Sequence, residues 1–435
     1  MNPKTQLRLY GWLFAASGAV FVLGGARLFS LLSLAAPFLP GARPFVDGGP
    51  SLWLGLAGSM MAMVAALSFA LARDPARGVA WNTLLLSKGA STLLFTTFAV
   101  ADRNTLFLLG AAVDGSIFIH LACLRRAVET SADPLAARLP GAAGPFYEVW
   151  FAKFNDPESR RALWLRYEAL RADKGGEASC GWVLFEPDGT VTSGRWARPL
   201  AEASWGGTVP FRLAGSAVEE GRLVGRSADA SWDFSWDNGP APAFRFVPDL
   251  LAMTGLAASD YVTPAAAGTF DGTFRAQGRE LAFRGAPGCL GHIWGRNMAD
   301  NWRWAHAVLE GPGGTPAVFE VLSAQVRLGP WRSPRLTCAH LWLDGTHRAS
   351  VGLVRALSNA TAGDASGWSF RAGFGDITVS GECAPGPSAQ LEYESPDGRR
   401  LLCRNSKTGR LTLRAGGRTL STRDAAAVEW VEPAP

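Results

Sequence analysis

Residues 80–126 read AWNTLLLSKGASTLLFTTFAVADRNTLFLLGAAVDGSIFIHLACLRR, which is two long apolar runs separated by a short polar loop. The runs at 80–100 and 106–124 have the roughly 20 residues that a helix needs to cross the hydrocarbon core of a bilayer. Two similar runs precede them, at 9–25 and 52–72. The sequence therefore predicts a four-helix transmembrane bundle at the N-terminus.

Positively charged residues are distributed unequally between the two ends of the apolar runs of this predicted bundle, residues 1–126. If the spans alternate in direction, Arg43 and Arg103 lie on one side of the membrane and a larger set lies on the other. The larger set consists of Lys4, Arg8, Arg73, Arg77, Arg125, Arg126 and Arg138. Because cytoplasmic loops carry the excess of Lys and Arg, both termini and the C-terminal part are predicted to be cytoplasmic. The six cysteines fit a reducing compartment, since they are spread singly and without zinc-site spacing.

Two ionisable residues lie inside the predicted spans, Lys88 in the third and Asp114 in the fourth. A charge at this depth is costly and marks a functional site by default. The short loop between the two spans makes them antiparallel neighbours, so the two side chains can form an ion pair. Two interpretations are open: the pair fixes helix packing, or it belongs to a pore or ligand site.

After residue 145 the pattern changes to short alternating segments such as Ser231–Trp236, separated by turn signals. Many short strands at intervals of about ten residues indicate an antiparallel sandwich or barrel. The length exceeds one small barrel, so we predict two lipocalin-like antiparallel β-barrels with a seam near Gly291–Trp304. The predicted bounds are 127–144 for a linker, 145–300 for the first barrel and 301–435 for the second. Residues 250–256 are the one clear helical candidate in this part.

The densest group of chemically active side chains falls within residues 291–306, which read GHIWGRNMADNWRWAH. Alternation along a strand places Trp302, Trp304 and His306 on one face. Two indoles and an imidazole suit a flat, apolar, unsaturated ligand. They could also support chemistry, because a protonated alkene becomes a carbocation that aromatic faces stabilise.

The segment Gly291-His292-Ile293-Trp294-Gly295 resembles the GHxWG signature of a bacterial superfamily that includes hydroxyneurosporene synthase, a carotenoid hydratase, and AttH-like proteins. Similar segments precede it in the family's order: Tyr147–Phe151, Phe154–Pro157, Ala162–Tyr167, Ser231–Phe234 and Phe270–Gly272. The resemblance covers about residues 145–345 and implies a pair of lipocalin-like barrels, with His292 and Trp294 lining the site. The Tyr-x-Asp acid of the hydratase branch is absent, and the matching stretch carries Glu320 instead.

Three functions are open from the sequence. The first is a multi-pass protein of the bacterial inner membrane whose cytoplasmic barrels bind a hydrophobic ligand, either an isoprenoid, a polyene or another lipid. The second is a hydratase, cyclase or isomerase that acts on such an isoprenoid by acid–base catalysis, and the third is a structural partner of the bundle.

The expected partners are the hydrophobic molecule and the bilayer; no cofactor or metal is expected, and the oligomeric state is open. Nucleic acid is not expected either, because the net charge of +5 is modest and forms no basic stripe. The predicted catalytic residues are His292, Glu320 and Asp300, and the predicted ligand contacts are Trp294, Trp302, Trp304, His306 and Arg296.

Overall fold

The computed structural model describes the chain except for residues 1–2, 25, 39, 43, 45–50, 74, 76–77, 132, 174, 207–208, 249–250, 252–256, 311–315 and 329–330. The chain divides into two compact units, a helical unit of residues 1–132 and a β unit of residues 133–252 and 257–435. The helix predicted at 250–256 lies, apart from Leu251, outside the described residues.

The described residues of the helical unit form five α-helices. They are α1 Pro3–Gly24, α2 Ala26–Ser33, α3 Ser51–Arg73, α4 Gly78–Ala101 and α5 Phe107–Ser131. All four predicted apolar runs are thus helical, but among the described residues only Val79–Ala101 and Phe107–Arg125 are long and apolar enough to cross a membrane. A four-helix transmembrane bundle is therefore not supported. A shorter apolar stretch, Ala57–Arg73, lies within α3.

The β unit consists mostly of two curled antiparallel sheets, each a half-barrel. Sheet 1 contains β1 Phe146–Asn155, β2 Ala162–Arg171, β3 Gly176–Phe185, β4 Val191–Pro199, β5 Ser204–Gly206, β6 Val209–Leu213, β7 Ser216–Glu219, β8 Arg222–Arg226, β9 Ala230–Asp237, β10 Phe244–Arg245, β11 Ser259–Ala276 and β12 Arg279–Gly295. A separate hairpin contains β15 Arg327–Leu328 and β16 Trp331–Arg332. Sheet 2 contains β13 Asn301–Glu310, β14 Pro316–Gln325, β17 Leu336–Leu343, β18 Thr346–Ser350, β19 Ala360–Asp364, β20 Gly367–Gly373, β21 Thr378–Ala384, β22 Ala389–Glu394, β23 Arg400–Ala415 and β24 Arg418–Pro433. Helix α6, Leu353–Ser358, follows β18.

The two sheets repeat one topology. Sheet 1 has the strand order β4-β3-β2-β1-β12-β11-β9, and sheet 2 has the order β18-β17-β14-β13-β24-β23-β21. The first strand of each sheet therefore pairs with its last strand, as Trp150 pairs with His292 in sheet 1 and Trp304 with Glu429 in sheet 2. The chain changes sheets between β12 and β13, which lie on either side of residues 296–300.

Each sheet buries both faces of its central strands. Along β1, Trp150 and Phe154 pack into the core of sheet 1, whereas Phe151 packs in a cluster with Trp304 and Trp342 of sheet 2. Because successive side chains of a strand point to opposite faces, the odd-numbered residues of β1 face sheet 2. All ten residues of β1 are buried as a result. We call the buried region between the two sheets the interface.

Candidate active site between the two sheets

His292 and Trp294, the central residues of the GHxWG segment, pack on the core of sheet 1 and not at the interface. The imidazole is fully buried, with Nδ1 2.7 Å from the carbonyl oxygen of Pro134 and Nε2 2.9 Å from Oε1 of Glu148. The Trp150 ring stacks on it with 4.7 Å between ring centroids. Both ring nitrogens are therefore engaged, and His292 has no nitrogen left for a substrate.

Glu148 also holds the segment that leads into β1. Its Oε1 accepts a hydrogen bond from the backbone N–H of Arg138 at 2.6 Å, and its Oε2 accepts one from Leu139 at 2.8 Å. We call Glu148, His292 and the segment that they hold, Pro134–Leu139, the anchor. The structure thus places His292 in a packing contact with the sheet-1 core, because β12 presents its even-numbered side chains to that core. The predicted catalytic role of His292 stays a prediction.

Two further predicted residues lie in the connection between the sheets. Asp300 is buried and forms ion pairs with Arg327, Arg332 and Arg399. A carboxylate held by three guanidinium groups joins those segments, and its predicted role as an acid–base group stays a prediction. Arg296 is exposed in the same connection, so the structure does not bring it to the interface.

Trp302, Trp304 and His306 do lie on one face of β13, and that face points to the interface. The Trp302 ring stacks on Tyr393 at 6.0 Å, and the Trp304 ring stacks on His306 at 6.1 Å. The group predicted as one site in residues 291–306 is therefore divided between the sheet-1 core and the interface. The division arises because the chain changes sheets between β12 and β13.

Glu320 is at the centre of the polar groups of the interface. Its Oε1 accepts hydrogen bonds from the Tyr261 hydroxyl at 2.5 Å, the Trp304 indole N–H at 2.8 Å and the Thr263 hydroxyl at 3.0 Å. Its Oε2 is buried and has no hydrogen-bond partner among the described residues. Burial raises the pKa of Glu320 to about 7, although the three donors and Lys153 act to lower it. A carboxyl group with this pKa is present in both forms at neutral pH, which suits proton transfer.

His306 lies directly opposite Glu320 on the neighbouring strand. Its Nε2 donates to the carbonyl oxygen of Ala266 at 2.8 Å, and this hydrogen bond assigns the lone pair to Nδ1. In the described part of the chain, Nδ1 is buried without a partner, as Glu320 Oε2 is. Burial lowers the pKa of His306 well below its usual value, and Lys153 lowers it further. The ring is therefore neutral, with a lone pair that can receive a proton.

Two buried lysines also belong to the interface, and the sequence analysis did not predict them. Lys153 of β1 lies opposite Trp164 of β2. Lys407 of β23 forms an ion pair with Glu429 at 2.7 Å, and its ammonium lies 4.9 Å from the centre of the Trp304 ring. The interface is therefore a buried set of acids, amines and indoles, supplied by both sheets.

The predicted ion pair of the helical unit is present. Lys88 Nζ lies 2.9 Å from Oδ1 of Asp114, and the Ser91 hydroxyl donates to Oδ2. The ammonium is also 4.7 Å from the centre of the Phe14 ring. Because these contacts join α1, α4 and α5, they support the interpretation of a pair that fixes helix packing. A pore or ligand role stays a prediction.

Two open cavities lie away from these groups. One of about 630 Å³ is in sheet 2, where Glu382 and Arg410 contribute to its lining. The other, of about 620 Å³, is in the helical unit beside Gly18 and Gly58. In the part of the chain that the structure describes, no three His, Cys, Asp or Glu side chains are placed to hold a metal ion.

No protein-family model matches the chain. Two uncharacterized proteins of Mycobacterium tuberculosis, from strains CDC 1551 / Oshkosh and H37Rv, are 29% identical to it over 294 residues. The alignment covers 65% of this chain and 86% of each relative. The relatives' names state no activity.

Several solved structures are similar at low identity. A putative AttH from Nitrosomonas europaea is 13% identical with a TM-score of 0.45, covering 66% of this chain and 92% of its own. Kievitone hydratase from Nectria haematococca is 8% identical with a TM-score of 0.46, covering 66% of this chain and 89% of its own. CghA is 14% identical with a TM-score of 0.45, covering 66% and 88%. Scores this low carry no conclusion about activity, and the fold of this chain rests on its own strand pairing.

Proposed function

We propose that the β unit is an acid–base enzyme that acts on a small apolar molecule with a carbon–carbon double bond, bound at the interface. The observation that carries the proposal is the placement of Glu320 directly opposite His306. The two residues are direct neighbours on adjacent strands, and both atoms are buried without a partner among the described residues. Near neutral pH one group can donate a proton and the other can receive one.

The chemistry follows from these two protonation states. Glu320 in its acid form gives its proton to one alkene carbon; the π electrons form the new C–H bond and leave a carbocation at the other carbon. Trp304 and Phe151, which contact each other edge to face at 5.6 Å, supply aromatic faces that stabilise the cation. Water then attacks the cation and releases a proton to His306 Nδ1, which completes the hydration of the substrate. Transfer of this proton from the His306 imidazolium to the Glu320 carboxylate restores the acid. Since the oxonium formed by this attack is a strong acid, a weakly basic imidazole suffices. Loss of a proton from a neighbouring carbon would instead give an isomer. Attack of a second double bond on the cation, followed by proton loss, would give a cyclised product.

Deuterium incorporation tests this function. The full-length chain is incubated in D2O with an extract of bacterial isoprenoids and polyenes, and mass spectrometry measures deuterium in each component. We expect Glu320→Gln to slow incorporation by about 100-fold or more, because general acid catalysis contributes at least this much. Glu310→Gln, at the exposed end of β13, is the matched control and should keep the wild-type rate. An unchanged rate for Glu320→Gln refutes the proposal.

A lipocalin-like binding module without catalysis is the second candidate, because the aromatic packing beside Glu320 also suits a bound apolar molecule. Phe246 and Phe151 stack on Tyr261 at 4.8 Å and 6.2 Å between ring centroids. A chain that retains a lipid or isoprenoid through purification, yet incorporates no deuterium in either wild type or Glu320→Gln, would fit this second function.

We propose that the helical unit anchors the chain in a membrane, with the β unit on the cytoplasmic side. Support comes from the length and apolarity of Val79–Ala101 and Phe107–Arg125. Within these helices Leu86, Leu93 and Ile119 are 73%, 68% and 62% exposed, which suits contact with lipid. Release of the full-length chain from cell membranes by alkaline carbonate, without detergent, would refute the anchor.

A further inference from the structure

Lys153 is a buried cation without an anionic partner. Its side chain is 1% exposed, and its Nζ has two neutral acceptors, Asn155 Oδ1 and the carbonyl oxygen of Ala425, each at 3.2 Å. Among the described residues it forms no ion pair. An ammonium group has three N–H donors and is costly to bury unpaired, so this position favours an anion from outside the chain.

A second buried donor adjoins it. Trp164 lies directly opposite Lys153 on the neighbouring strand and is 4% exposed. Its indole Nε1 is buried, and no acceptor for it is found in the described residues. The Lys407 ammonium lies 5.6 Å from the centre of the same indole ring, so two cations and an unpaired N–H group surround one region of the interface.

The acids of the interface do not balance these cations. Glu429 Oε1 already accepts hydrogen bonds from Lys407 at 2.7 Å and from Asn405 at 2.8 Å. Glu320 is directed to three neutral donors, and because its pKa is raised to about 7 it carries only part of a charge at neutral pH. Two ammonium groups therefore face one fully charged carboxylate and one partly charged carboxylate, which leaves a net positive charge of less than one unit. A monoanion such as a carboxylate comes closest to compensating this charge, whereas a phosphate dianion would exceed it.

We propose that the ligand of the interface is an apolar carboxylic acid, whose carboxylate binds Lys153 Nζ and Trp164 Nε1 while its apolar part extends along Trp304 toward Glu320. This inference rests on the proposed function, since it assigns a substrate class to the same site. The carboxylate fixes one end of the substrate, and the distance along the apolar part then selects which carbon receives the proton from Glu320.

The test compares two probes that differ only in the charged end, cis-parinaric acid and its methyl ester, by fluorescence titration of the full-length chain in a non-ionic detergent. A charge-assisted contact corresponds to about ten- to a hundredfold in Kd, so we expect the acid to bind tighter than the ester by that factor. Lys153→Met, which keeps the side-chain volume, should abolish the difference and leave the ester Kd unchanged within about twofold. Arg414→Met, an exposed position of β23, is the control and should keep the preference.

Trp164→Phe provides a second variant that changes no charge. It removes the indole N–H and keeps an aromatic ring, so the acid should lose about three- to tenfold in Kd and the ester should lose little. Equal binding of acid and ester by the wild type, or a full preference for the acid in Lys153→Met, overturns the inference and leaves the apolar site of the proposed function intact. Failure of both probes to bind overturns the inference together with that apolar site, whereas the deuterium experiment on Glu320 tests the catalysis separately.

Discussion

Replacing Glu148 by Gln tests the anchor, and with it the structural position of His292. Each carboxylate oxygen faces one backbone N–H, with Arg138 on Oε1 and Leu139 on Oε2. An amide has only one acceptor oxygen, so its NH2 group must face one of these two donors, and one buried N–H loses its partner. His292 also loses the carboxylate next to its Nε2.

The magnitude follows from these losses. A buried donor left unpaired costs about 1–3 kcal/mol, and the lost hydrogen bond between the carboxylate and His292 contributes about 1.5–3 kcal/mol. Together these losses amount to about 3–5 kcal/mol in the free energy of unfolding of the β unit. At roughly 2 °C per kcal/mol for a domain of this size, its Tm falls by about 6–10 °C.

Two measurements on the full-length chain check this expectation. Circular dichroism in the strand region reports the Tm of the β unit, and hydrogen exchange of the Arg138 and Leu139 amides reports whether the anchor has opened. Glu394→Gln, at an exposed position of β22, should change neither. If Glu148→Gln keeps the wild-type Tm and amide protection but loses deuterium incorporation into the substrate, the anchor interpretation is refuted and His292 belongs to the chemistry.

Two further predictions concern titration and buried charge. Deuterium incorporation should fall about tenfold per pH unit above pH 7, because Glu320 acts only in its acid form; a rate that rises through pH 8 would contradict this assignment. In the helical unit, Lys88→Met leaves Asp114 buried without its cation and should lower helix stability by about 3–5 kcal/mol. Adding Asp114→Leu should restore most of this loss, as measured by thermal unfolding of helical circular dichroism, and an equal loss in the double variant would count against the ion pair.

Local patterns in the sequence were sufficient to predict the secondary-structure elements and the contacts between neighbouring elements. Apolar runs predicted the positions of the long helices, and the short loop between the last two predicted the Lys88–Asp114 contact. Alternation predicted that Trp302, Trp304 and His306 share one face.

Contacts between distant strands could not be predicted from the sequence. No local sequence pattern could predict a partner for Lys153, because the carbonyl oxygen that it contacts lies 272 residues further along the chain. Tyr261 and Thr263 look like ordinary strand residues, and only the docking of sheet 2 brings Glu320 to their hydroxyl groups. A signal for Lys153 did exist, because it is a lysine within the otherwise largely apolar strand YEVWFAKFN. To predict that the Lys153 side chain points toward sheet 2, the pairing of β1 with β12 would have to be known.

The candidate site exists only where the two sheets meet, and this location bears on its origin. Tyr261 and Lys153 come from sheet 1, whereas Glu320 and His306 come from sheet 2, so burial of the acid requires that both sheets are folded and docked. Buried charges contribute less to stability than apolar side chains of the same volume. An interface that served cohesion alone would therefore gain by replacing Lys153 with an apolar residue. A Lys153→Met chain that unfolds at a higher temperature than the wild type, and no longer prefers the acid probe, would show that this cation is kept for binding at the expense of stability.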